Sequence, residues 1–304
     1  MVLENYFFHY IRKYNKSFPY FNFLHEKNFK KIIQNNKKKL IKIGDDINKK
    51  NKTKKYIFSF DDGLKDHVFA SNVLEKNNIL GQFFINTLPI IDKEILSVHK
   101  LHLMFGKYKS NELIKVVYKH ENLNLKNIKI PIYKKYQLKN SLDKDHIIKL
   151  KLKIFLSQKK NLLLVSKIFN FFFSKLEQKK ILEGLYLNID DIINIDKKGM
   201  IIGGHSHSHK KLSTLSVINQ TKEIKKNIFY LSKILNKKVE YFASPWGHKN
   251  SYSNNTIKIL KKTVKYHFTT ETKNNKKNNY EIPRINCNKL KGGNIYNYKK
   301  NNDK

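Results

Sequence analysis

Three short words carry most of the chemistry in this chain: Ser59-Phe60-Asp61-Asp62-Gly63, His205-Ser206-His207-Ser208-His209 and Phe242-Ala243-Ser244-Pro245-Trp246-Gly247. Asp61 and Asp62 set two carboxylates side by side. Adjacent side chains on a strand point apart, but Gly63 permits a sharp turn that brings both to one mouth. A divalent metal on one of them would hold it ionised and leave the other to take a proton from water. His205 and His209 stand four apart. On one helical turn, or a loop entering a helix, that spacing puts two imidazoles on one side, with His207 pointing elsewhere. Pro245-Trp246-Gly247 reads as a tight turn that can aim a backbone N–H at an oxyanion, and Trp246 offers a stacking face for a sugar ring. Together these are parts of a mononuclear metal hydrolase.

Taken singly, each word has a plainer reading: a solvated Asp-Asp-Gly turn, an adventitious histidine cluster, a tryptophan buried in a loop. Position tells against three coincidences, because each word follows an apolar run that reads as a buried strand. Strands are expected at 56–60, 81–86, 200–202, 239–243, 266–270 and 281–285, with helices at 68–77, 217–235 and 256–262 between them. In the helix at 217–235, Ile218, Ile224, Ile228, Leu231 and Leu235 fall on one side. Strand-helix alternation implies parallel strands, and in parallel barrels active sites form at the carboxyl ends of the strands. Residues 91–187 show helical spacing, as in 112–118 and 146–156, and read as a mainly helical insertion that includes His99 and His102. Residues 1–52 read as a helical, aromatic and basic N-terminal extension, and residues 291–304 as a basic, frayed tail. Barrel residues span 53–290.

Composition narrows the partners. The 304-residue chain has a formal charge of +38, but its only arginines are Arg12 and Arg284. Phosphate and base recognition favours arginine's flat fork, so specific nucleic-acid binding is not expected and the lysines read as solvated surface. Cys287 is the single cysteine, which excludes an intramolecular disulfide and a cysteine-based zinc site. No signal peptide or membrane span is read from the sequence, so the expected location is cytoplasmic. Phe and Tyr among lysines in residues 1–40 suggest a peripheral membrane contact.

The order and context of the three words resemble the polysaccharide deacetylase family, the NodB-homology fold of carbohydrate esterase family 4. Its first motif, Thr/Ser-Phe-Asp-Asp-Gly, matches Ser59–Gly63. Its second, His-Ser/Thr-x-x-His, matches His205, Ser206 and His209. In one branch the third reads Phe-Ala-x-Pro-Tyr/Trp-Gly, matching Phe242–Gly247. The resemblance implies an α/β fold, a distorted parallel (β/α)7 barrel. It implies Asp61 as general base and Asp62, His205 and His209 as ligands of a divalent metal, Zn2+ being the expected ion. The backbone at Trp246 would stabilise an oxyanion. The implied activity is hydrolysis of an N-acetyl group on an amino sugar, on an intracellular or lipid-linked surface-glycan precursor. Two alternatives remain: a deformylase or other C–N amide hydrolase on the same site, and a catalytically degenerate module that binds polyanion or glycan.

The sequence departs from the family twice. Many members place an arginine in the third motif to orient the base, where this chain has Ala243 and Ser244; Arg284 is the candidate to reach the same carboxylate from a neighbouring strand. Many also carry a late Leu-x-His motif whose histidine protonates the leaving amine. Here the candidates are His67, His248 and His267, and His267 is the one assigned.

Overall fold

The computed structural model describes residues 3–46, 53–121, 123–130, 144–270 and 280–293. Strands are numbered in chain order: β1 (Leu3–Phe8), β2 (Ile11–Arg12), β3 (Leu24–His25), β4 (Lys55–Phe60), β5 (Gly81–Ile85), β6 (Ile201–Gly204), β7 (Tyr241–Ala243), β8 (Tyr266–Thr269) and β9 (Glu281–Asn286). All but β2 and β3 close a barrel in the order β1-β4-β5-β6-β7-β8-β9, and every neighbouring pair is parallel. This is the (β/α)7 architecture that the family resemblance implies, built of the parallel strands that the strand-helix alternation predicts.

The alternation of side chains sorts the strands into two faces. On β4, Tyr56, Phe58 and Phe60 join the core outside the barrel, with Phe29 and Ile32 of the helix Glu26–Asn36 and Ala70 and Leu74 of the helix Asp66–Lys76. Each buried ring there contributes roughly 1.5–3 kcal/mol. The intervening Ile57 and Ser59 face the lumen side, and Asp61 follows in the same phase. The helix Val217–Leu235 starts on Ser216, whose hydroxyl accepts from Asn219 N–H, and stops at Asn236 in the left-handed conformation.

The expected helical extension over residues 1–52 needs correction. Leu3–Phe8 is a barrel strand, paired with β4 (Phe8 opposite Phe60) and β9 (Asn5 opposite Arg284). The helix in this region is Glu26–Asn36. Aromatics on both faces hide the period of two, because Phe7 lies toward the lumen as Tyr6 and Phe8 pack outward. Of the aromatics in residues 1–40, Phe8, Tyr10, Phe21 and Phe23 are buried in the protein, whereas Tyr14 is exposed. Among the described residues no helix is long and apolar enough to cross a membrane.

Two compact units result. The first holds the barrel; the second comprises Tyr14–Asn22 and Ile95–Lys180. The second unit is helical, with Ser97–Lys107, Ser110–His120, Lys144–Leu156 and Leu162–Phe172 around Phe105, Val117, Val165 and Phe169. Tyr20 N–H donates to Gly106 C=O at 2.8 Å, and the Phe21 ring occupies the space a side chain at 106 would need. The basic tail expected at 291–304 lies from residue 294 onward outside the described residues.

Candidate metal centre and active site

A chain of polar side chains fills the barrel lumen beneath the first word. Asn5 Nδ2 donates to Gln82 Oε1 at 2.7 Å, Ser59 Oγ donates to Asn5 Oδ1 at 2.8 Å, and Arg284 Nη1 donates to Ser59 Oγ at 3.2 Å. Arg284 then grips Asp61 with both prongs, Nη1 to Oδ1 at 2.6 Å and Nη2 to Oδ2 at 2.9 Å. Its guanidinium lies between the rings of Phe7 and Phe84, 5.3 and 5.1 Å from their centroids. With 0% side-chain exposure for Arg284, this is no surface salt bridge. Burial pushes the Asp61 carboxyl up, but the Arg284 charge, then His205 and the Arg284 hydrogen bonds, outweigh it and hold the pKa below the ordinary value. Asp61 is therefore a carboxylate across the neutral range. Replacing Arg284 by Met removes the lowering, so the acid limb of kcat/KM is expected to move to higher pH. A pH–rate profile checks this, and an unmoved limb refutes the assignment.

Asp62 leaves the strand by a different route from Asp61. Its φ of 80° puts it in the left-handed region, which turns its carboxylate away from the lumen and toward the second word. Gly63 follows at φ 62°, where an added Cβ would stand 2.8 Å from Ile85 Cγ2, so the turn needs glycine. Asp62 Oδ1 lies 3.4 Å from His205 Nε2 and 3.3 Å from His209 Nε2. These three ligand atoms lie within 4.8 Å of one another. Ligands about 2.0–2.1 Å from one tetrahedral ion stand about 3.4 Å apart, so the residues present fit a divalent cation. Two imidazoles and one carboxylate leave a position open, as catalytic zinc sites do. His205 Nδ1–H donates to Ala243 C=O at 2.8 Å, which leaves Nε2 as the lone-pair nitrogen facing Asp62.

The second word is neither a helical turn nor the entry to one. Ser206 and His209 take φ of 62° and 56°, and Ser206 Oγ accepts from His209 N–H at 3.1 Å. The two histidines converge through these turns, with ring centroids 5.0 Å apart. Gly204 precedes them because Asn227 Oδ1 and Phe242 occupy the place of its Cβ. Trp246 also has positive φ, 65°, and its ring stands 5.8 Å from that of His209 while remaining 41% exposed. Of the seven non-glycine residues with positive φ among those described, four (Asp62, Ser206, His209 and Trp246) fall in the three words. Strain of about 1–3 kcal/mol each concentrates where function demands a fixed geometry.

The assignment of His267 as general acid is corrected. It is fully buried in β8, bonded through Nε2 to Ser244 Oγ at 2.8 Å, and burial followed by the Arg284 charge lowers its pKa to about 3. At neutral pH it is the neutral imidazole and offers no acidic imidazolium proton. His67 is likewise buried and lowered to about 4, and its Nε2–H donates to His9 C=O at 3.3 Å. His248 N–H closes the turn on Trp246 C=O at 2.9 Å. The residue that sequence reasoning missed is His9. It follows β1 directly, as Asp61 follows β4, and its Nε2 lies 3.9 Å from Asp62 Oδ2 with the side chain 39% exposed. Its signal was the alternation of Asn5 and Phe7 against Tyr6 and Phe8, which marks a strand ending at residue 8.

The family model for polysaccharide deacetylases matches residues 170–266, a stretch that contains the second and third words. Over that stretch, about a third of the chain, the sequence is similar to polysaccharide deacetylases. Among solved structures it is similar to the Streptococcus pyogenes deacetylase PplD in complex with acetate, at 14% identity and TM-score 0.55, covering 93% of this chain and 91% of that one. It is also similar to a polysaccharide deacetylase from Bacillus cereus, at 16% identity and TM-score 0.51, covering 93% and 64%. A third is IcaB from Ammonifex degensii, at 14% identity and TM-score 0.50, covering 93% and 90%. At these identities the likeness shows the shared barrel. No curated protein matches the chain.

Proposed function

We propose that this deacetylase-type barrel is a metal-dependent carbohydrate N-deacetylase that removes the acetyl group from an N-acetylated amino sugar. The observation that carries the reading is the pairing of two devices at one mouth: Asp62, His205 and His209 as ligands, and Asp61 held ionised by Arg284 beside them. Asp62, His205 and His209 would hold the ion, Zn2+ by the donor set. Bound there, it supplies Lewis acidity to the amide carbonyl and acidifies the attacking water.

Asp61 takes the proton from that water. Arg284 occupies one direction on each carboxylate oxygen and leaves the other lone pairs for the incoming proton. His9, half-exposed at the rim, protonates the departing amine, the task His267 cannot perform. The exposed Trp246 ring carries the sugar face, and the strained turn at Trp246-Gly247 holds it there. The degenerate-module reading is disfavoured by Arg284: the orienting arginine absent from the third word is supplied from β9.

The test is acetate release from N-acetylglucosamine oligomers by the purified, zinc-supplemented chain, with formate from an N-formyl sugar assayed beside it. Acetate is expected to dominate; formate alone moves the reading to a deformylase, and neither product ends it. In the same assay His9→Gln is expected to lower kcat by about 10²–10⁴-fold on the amide. The loss is smaller on an aryl acetate ester, whose leaving group needs no proton.

A further inference from the structure

The middle histidine of the second word is neither placed as a ligand nor left to solvent. His207 is 7% exposed, and both ring nitrogens are engaged: Nδ1 lies 2.9 Å from Thr87 Oγ1 and Nε2 lies 2.9 Å from Asp92 Oδ2. Thr87 Oγ1 also accepts from Asn227 Nδ2 at 3.3 Å. Its own proton therefore goes to His207 Nδ1, and His207 Nε2–H goes to Asp92. Lys226 Nζ holds the same Asp92 Oδ2 at 2.9 Å. The backbone of His207 is tied as well. Its N–H donates to Glu223 C=O at 3.0 Å, and its C=O accepts from Leu88 N–H at 2.9 Å. One residue thus fastens the histidine loop to the segment Thr87–Asp92 after β5 and to the helix Val217–Leu235.

The loop has reason to need fastening. Ser206 and His209, on either side of His207, hold positive φ, a conformation that persists only where the surroundings over-determine it. Asn86 Nδ2 donates to the carbonyls of His205 and Ser206, which anchors the loop's first half from β5. His207 anchors the middle. There is a second consequence. A free imidazole two residues from each ligand would compete for the ion, and occupying both of its nitrogens removes that competitor.

We propose that His207 is the positioning residue of the metal centre, and that the Thr87–His207–Asp92–Lys226 chain fixes the loop so that His205 and His209 converge on Asp62. This rests on the reading of those three residues as ligands. It adds residues from outside the three words to the set on which ion affinity depends.

The experiment measures zinc affinity of the full chain by competition with a chromophoric chelator, with the melting temperature of each metal-free variant recorded alongside. Thr87→Val removes the hydroxyl at nearly constant shape, Thr87→Ser restores it, and Asp92→Ala removes the acceptor. Thr87→Val and Asp92→Ala are expected to bind zinc about 10–100-fold more weakly, and Thr87→Ser to match the wild type. Under saturating zinc, kcat of the two weakened variants recovers while KM for the sugar is unchanged. Asp92 is 33% exposed, so its variant remains informative if Thr87→Val fails to fold. Wild-type affinity in Thr87→Val and Asp92→Ala overturns the proposal, and so does equal weakening in Thr87→Ser, which would mark a packing effect. If the wild type binds zinc and His205→Ala/His209→Ala does not, those outcomes overturn the positioning role alone. A wild type that takes up no zinc overturns this role together with the ligand reading.

Discussion

Asp61→Asn is expected to lower kcat on an N-acetylated sugar by about 10²–10⁴-fold, with zinc content unchanged. The amide keeps the shape and an acceptor oxygen for Arg284, so the lumen chain survives while the proton acceptor is lost. Asp61→Ala is the harsher change. It strands the Arg284 guanidinium at 0% side-chain exposure, and breaking a buried pair costs about 3–5 kcal/mol. Loss of activity in Asp61→Ala is therefore read together with its melting temperature, whereas Asp61→Asn separates chemistry from folding. An Asp61→Asn enzyme within about tenfold of wild-type kcat excludes Asp61 as the base. The pair also sets a pH dependence of stability. Because the folded pKa of Asp61 is lowered, the stabilisation is present above its unfolded value and is lost as pH falls through the folded one. In Arg284→Met the remaining burial raises the folded pKa, so the sign reverses and the Asp61 carboxyl costs stability as pH rises.

The second large effect is on the ion. His205→Ala/His209→Ala leaves Asp62 as the remaining member of the three-residue ligand set, and metal content is expected to fall from about one ion per chain to none. Activity goes with it. A thermal measurement reads the same site without substrate: at one hundred times its dissociation constant an ion stabilises the folded state by about 2.7 kcal/mol. Zinc is therefore expected to raise the melting temperature of the wild type and leave the double variant unmoved. A wild type that neither retains nor responds to zinc, cobalt or nickel excludes the metal centre.

Among the candidate site residues, Asp61, Asp62, His205 and His209 were legible because they sit in short words at strand ends, where local sequence determines both residue type and exit from the strand. Arg284 was legible as a candidate, being one of two arginines and lying in a strand. The place of His9 beside Asp62 was not. It depends on Leu3–Phe8 being inserted between β4 and β9, a pairing between segments far apart in the chain. The misassignment of His267 has the complementary cause. Residue type and strand position made it a candidate, and burial, which no local pattern reports, depressed its pKa to about 3.

The sequence by itself determined the parallel architecture, through strand-helix alternation, and the chemistry of the candidate ligands, through residue type and spacing. Tertiary structure alone decided which groups share a mouth and in what protonation state. Closure of the barrel brings Arg284 from β9 to Asp61 and His9 from β1 to Asp62, and it buries His207 between Thr87 and Asp92. Those are contacts across 53 to 223 residues of chain. They depend on sheet register and desolvation, which belong to the folded ensemble of segments and to no single stretch of sequence.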